Sequence, residues 1–77
     1  MEDIDYKELD RKAILDYLKR RGGEVEVTDI MAESGAEKLR VYSLLWELEH
    51  NGTILVTREG RMGAPEAVRL IEGGDAA

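Results

Sequence analysis

The stretch TDIMAESGAEKLRVYSLLWELEHNGTI, residues 28–54, decides the fold of this chain. Within it Val41, Leu44, Leu45 and Leu48 recur at the spacing that lines one face of an α-helix, at about 100° per residue. The same periodicity places the only tryptophan, Trp46, about 140° from the middle of that face, pointing away from the core that the other four build. This helix is expected to run from Glu37 to about His50, where Asn51 and Gly52 supply the left-handed conformation that commonly ends a helix. Just upstream, Thr28 is expected to cap a brief helix, DIMAES, which buries Ile30 and Met31 and stops at Gly35, the turn.

Working outward, Leu9, Ala13, Ile14, Tyr17 and Leu18 fall at i, i+4, i+5, i+8 and i+9 and predict a first amphipathic helix between Asp5 and Arg21. Asp5 followed by Glu8 has the spacing of a capping box, and Lys19, Arg20 and Arg21 suit the negative end of the helix dipole before Gly22 and Gly23 break it. EVEV (24–27) alternates charge and valine and reads as a short strand. Beyond the opening stretch, TILVT (53–57) and AVRLI (67–71) alternate again across the turn-rich REGRMGAPE, so the last third predicts a β-hairpin with a loop of about eight or nine residues. The fold class is α+β: three helices with a two- or three-stranded antiparallel sheet in one domain. The packed part is expected over about 5–71, with a polar tail at 72–77.

The totals narrow the function. Seventy-seven residues make a domain that removes only about 60% of its unfolded surface from water, with no room for an enclosed active site. There is no cysteine and one histidine, His50, so neither a disulfide framework nor a thiolate or imidazole zinc centre is expected. No cofactor is implied. Ser34 and Ser43 have no base beside them in sequence, which argues against an enzyme. Apolar runs reach two or three residues, far short of the ~20 needed to cross a bilayer, and the acidic MEDIDYKELD start is unlike a signal peptide. A cytoplasmic protein without membrane contact is expected. The formal net charge is −6, from 17 acidic and 11 basic residues. Such a balance disfavours non-specific coating of nucleic acid, although basic residues cluster locally in KRR (19–21), KLR (38–40) and REGR (58–61).

The order helix, short strand, helix, glycine turn, helix and hairpin resembles the winged helix-turn-helix family. Residues 28–54 carry the resemblance through a short helix, a glycine turn, a V-x-x-L-L-x-x-L helix and an N-G-x-I entry into the wing; GRMGAPEAVRL is similar to the wing tip and returning strand. The resemblance spans about residues 9–71. It implies a small sequence-specific double-stranded DNA-binding protein, a transcriptional regulator working as a homodimer, whose third helix enters the major groove by its N-terminal end while the wing holds the backbone. Carried onto this chain, Glu37, Lys38, Arg40 and Ser43 are the groove-facing candidates, and Arg58 and Arg61 the wing candidates. Lys38 and Arg40 have independent support, because cations in the first turn oppose the helix dipole unless a phosphate docks there. Arg69 reads as a solvent-facing strand residue and His50 as a partner of the helix C-terminus.

Trp46 leads to a second reading. With Leu39 and Tyr42 it forms a stripe at i, i+3 and i+7 that faces away from the core, and something is expected to cover it. Ile4 and Tyr6 of the N-terminal arm could fold over it. A second copy or another protein could dock there. Alternatively, Tyr42 contacts the DNA backbone while Trp46 packs loosely against the wing. The alternative function is therefore a winged-helix protein-interaction module that uses Leu39, Tyr42 and Trp46 and binds little or no DNA.

Overall fold

The computed structural model describes residues 4–71; the expected polar tail, 72–77, lies outside the described residues. Helix α1 runs Tyr6–Arg21. Its N-terminus is capped as expected, the Asp5 side chain accepting a hydrogen bond from the Glu8 amide at 3.2 Å. Its C-terminus closes where Gly22, at φ +69°, donates its amide to the Leu18 carbonyl. Ile14, Tyr17 and Leu18 are buried.

Leu9 is a correction, because it is 54% exposed rather than part of the apolar face. On a regular helix it lies about 130° from the centre of the arc formed by Ile14, Tyr17 and Leu18, whereas Asp10 falls near that centre. Asp10 is accordingly half-buried and tied to Arg40 of the third helix at 2.8 Å.

Strand β1, Glu24–Glu26, leads directly into α2, Val27–Glu33. The expected cap at Thr28 is displaced: Glu26 is the capping residue, without a side-chain cap bond, and Thr28 lies exposed in the first turn. The helix begins at Val27, one residue before Thr28, and Val25 and Val27 are both buried in the core. After Ser34, Gly35 takes φ +89° and makes the turn. The Ser34 hydroxyl accepts from the Ala36 amide at 3.1 Å, a local bond that fixes the angle between α2 and the next helix.

Helix α3 spans Lys38–His50, with Glu37 as its extended N-cap. Val41, Leu44, Leu45 and Leu48 are each at most 1% exposed, so the predicted stripe is the core stripe. The helix ends at Asn51, which keeps a negative φ of −91°, and Gly52 alone takes the left-handed conformation at φ +84°; the Asn51 side chain accepts from the Thr53 amide to start the next strand.

Strands β2, Ile54–Glu59, and β3, Pro65–Leu70, form the antiparallel wing, and β1 pairs with the other edge of β3, giving the order β1-β3-β2. Val25, Val68 and Val56 stand in register across the three strands, Val25 and Val68 wholly buried in the core and Val56 packed against it. The hairpin loop is shorter than expected. β2 continues through Arg58 and Glu59, and β3 begins at Pro65, so only Gly60–Ala64 turn the chain, around a 3-10 turn at Arg61–Gly63. Cross-strand hydrogen bonds thus extend through residues whose polarity suggests loop. A register shift between Val56 and Arg58 leaves Thr57 as the extra residue.

The layout is that of a helix-turn-helix followed by a β-hairpin wing. Among the described residues Tyr17 is the one buried residue that carries a polar group, its hydroxyl donating to Glu33 at 2.7 Å, so stability rests on a small and otherwise apolar core. Leu44→Ala should cost about 2 to 5 kcal/mol, a large share of what a small domain has. Urea unfolding followed by circular dichroism checks this, with the midpoint falling steeply and the slope unchanged.

Candidate functional site

Helix α3 presents three sides, and the core takes one. A second is bonded to α1: Arg40 reaches Asp10, and Glu47 accepts from Lys7 at 2.6 Å and Arg11 at 3.2 Å. Arg40 and Glu47 are seven residues apart and so share a face, which turns their charges inward onto α1. Of the groove-facing candidates, Arg40 therefore already has an intramolecular carboxylate. Lys38, Ser43 and Glu37 stay exposed, and the Ser43 hydroxyl donates to the Arg40 carbonyl at 3.1 Å.

The wing candidates separate in the same way. Arg58 lies on the outer face of the sheet, 2.5 Å from Glu26, 3.2 Å from Glu66 and 3.8 Å from Glu24. The hydrogen bond that Arg58 donates to Glu26, then that to Glu66, raises its pKa further, and its charge is permanent. Glu26 and Arg58 both register with Ala67 of the strand between them. Their ion pair therefore bridges a position whose methyl group is completely covered. Arg61, at the wing tip, is exposed. Arg69 points to solvent, as expected. Lys38 and Arg61 enter none of the ion pairs among the described residues.

The third side of α3 carries the apolar stripe. Leu39 is 89% exposed, Trp46 59% and Tyr42 47%. The N-terminal arm does not cover it: Ile4 and Tyr6 are themselves exposed, and Tyr6 lines a hollow beside Asp10 and Gly35 instead. Trp46 stacks on His50, one turn further on, with ring centroids 3.8 Å apart and planes inclined by 29°. His50 also contacts the Trp46 carbonyl through Nδ1 at 3.2 Å, so it sits at the helix C-terminus as expected. Between the stripe and the wing lies a cleft of about 300 Å³, lined by Tyr42 and Trp46 on one wall and by Val56 and Pro65 on the other. Glu49 and Glu59 also line it.

Glu49 and Glu59 were not among the sequence candidates. Glu49 lies three residues after Trp46 and seven after Tyr42, a helical spacing that could have identified it. Glu59 could not be found in this way, since its position depends on the length of β2 and the shift in register. With Arg40 and Arg58 drawn onto neighbouring carboxylates, Lys38 and Arg61 face Glu37, Glu49 and Glu59. The cleft beside the stripe is apolar, with Glu49 and Glu59 at its border.

Among the described residues, no group of three or more histidine, aspartate or glutamate side chains is placed to hold a metal ion. No helix among them is long and apolar enough to cross a membrane. Comparison with protein-family models, with curated proteins and with solved structures found no match to this chain.

The ion pairs that orient α3 and the wing depend on pH. Glu47 is held below the ordinary glutamate value of 4.5, first by its hydrogen bond from Lys7 and then by that from Arg11, against a partial loss of hydration. Glu26 is likewise lowered by Arg58. A carboxylate whose folded pKa is lowered adds stability above its unfolded pKa, and that contribution disappears as the pH falls through the folded value. The wild-type chain should therefore lose stability as the pH falls through and below the ordinary glutamate value of 4.5, and Glu47→Gln should lose less over the same fall. Urea midpoints recorded at each pH provide the check.

Proposed function

We propose that this chain is a protein-binding winged helix, a binding module rather than an enzyme, working in the cytoplasm. The outer side of α3 and the adjoining wing receive another polypeptide. The exposed stripe of Leu39, Tyr42 and Trp46 carries this reading, because it occupies the side of the helix where groove contact calls for polar and cationic groups. Covering a tyrosine and a tryptophan removes about 150 to 250 Å² each from water, and at ~25 cal/mol per Å² this amounts to several kcal/mol as an upper bound. Tryptophan and tyrosine are also the side chains on which binding energy concentrates in protein interfaces. The charge distribution favours the same conclusion, since phosphate approaching this side meets Glu37, Glu49 and Glu59.

A second reading, sequence-specific double-stranded DNA binding as a homodimeric transcriptional regulator, is favoured by one observation. Lys38 at the start of α3 and Arg61 at the wing tip are both free of ion pairs among the described residues, and they lie where a helix-turn-helix holds phosphates. Arg58 and Arg40 would have to leave their carboxylates to join them.

Leu39→Ser with Trp46→Ala alters only exposed side chains and should move stability by no more than about 0.5 kcal/mol per site. The variant should lose association with its partner, or with its own copy if the partner is a copy, as read by co-purification with mass identification and by sedimentation. Random duplex DNA added at low salt should leave the Trp46 emission of the wild type unchanged. A DNA response that weakens with salt, with a slope of about −0.9 in log K per phosphate neutralised and smaller in Lys38→Ala with Arg61→Ala, would move the conclusion to the second reading.

A further inference from the structure

We infer that the cleft between α3 and the wing seats a cationic side chain, arginine or lysine, presented by a basic segment of the partner polypeptide; this rests on the protein-binding reading above. The cleft combines two features that recognise such a side chain. Its walls are apolar and aromatic, from Tyr42, Trp46, Val56 and Pro65, and its carboxylates are Glu49 and Glu59. The long methylene stem of arginine or lysine packs against apolar walls while its charged head seeks a polar partner. Aromatic faces attract the same charge.

Glu49 comes from the helix and Glu59 from the end of β2, so each element brings one acidic residue to the cleft. Neither enters the ion pairs that engage Glu24, Glu26, Glu47 and Glu66. No lysine or arginine lines this cleft. A carboxylate pair beside aromatic rings, with no cation of its own, is complementary to a cation from outside. At about 300 Å³ the space lies at the lower limit of small-ligand pockets, roughly 300 to 1,000 Å³, a size suited to one side chain rather than a larger cofactor. The stack on His50 occupies one side of the indole and limits the rotation of Trp46, so this wall is set before binding.

The partner segment is thus basic, with apolar residues flanking the inserted cation to cover Leu39. A second copy of this chain fits less well. Its corresponding surface brings the same border of Glu37, Glu49 and Glu59, with Lys38 and Arg61 as the cations of α3 and the wing tip that enter no ion pair among the described residues.

The test uses N-acetyl-arginine amide and its neutral isostere N-acetyl-citrulline amide, titrated into the full chain and followed by the Trp46 indole resonance and the amides of Val56, Glu59 and Gly63. The arginine compound should give saturable shifts confined to these groups, and the citrulline compound none. Glu49→Gln with Glu59→Gln, both exposed and so compatible with folding, should weaken arginine binding about fivefold or more, and added salt should weaken it in the wild type. Equal shifts from both compounds, or no shift from either, would overturn the cation seat. If Leu39→Ser with Trp46→Ala still abolishes partner association in that case, the protein-binding reading stands without it. Self-association that disappears in Arg61→Ala would overturn the assignment to a separate partner, by making a second copy the source of the cation.

Discussion

The burial of Val41, Leu44, Leu45 and Leu48 governs everything outside the core. These four positions fix the rotation of α3, and a helix has only one rotational setting that removes all four from water. Once it is set, the remaining residues have no freedom of placement: Arg40 and Glu47 must lie toward α1, and Leu39, Tyr42 and Trp46 must face outward. The apolar outer stripe is thus held in place by the core rather than by contacts of its own. This explains how so exposed a tryptophan can occupy a defined position in so small a domain.

The second constraint is charge. In a chain with more carboxylates than cations, arginines that neighbour several acidic groups are drawn into pairs within the molecule. Arg40 and Arg58 illustrate this on opposite sides of the helix-turn-helix, one tying α3 to α1 and the other spanning three strands. Surface ion pairs are individually weak. Here they leave the guanidinium groups of Arg40 and Arg58 partly exposed but matched by carboxylates of the same chain.

Local pattern revealed what depends on local pattern. The α3 stripe, the Asp5 cap, the glycine turn and the Asn51-Gly52 stop were all legible, since each is a relation among residues a few positions apart. Leu9 misled because a stripe that includes i+5 and i+9 is too wide for one helix face. The strands of the wing were drawn too short because Arg58, Glu59 and Pro65 have loop composition, and pairing with the neighbouring strand outweighs that preference. The partners of Arg40 and Arg58 were illegible for a different reason. Asp10 is 30 residues from Arg40 and Glu26 is 32 from Arg58, so no periodicity connects them. The candidate site was therefore half-readable: its aromatic stripe followed from helical spacing, while its acidic border required the fold.

The three-residue strand β1 has a further consequence. A sheet edge offers unpaired backbone donors and acceptors to any other chain, and a long flat edge invites stacking into fibrils. Here one edge is only Glu24–Glu26 long and passes at once into helix, while the other carries Arg58 and Glu59 beside a register shift. Neither offers a neighbouring molecule enough uninterrupted backbone to extend the sheet. A chain that leaves a leucine, a tyrosine and a tryptophan open to solvent is thereby protected at its edges from the ordered aggregation that such exposure would otherwise promote.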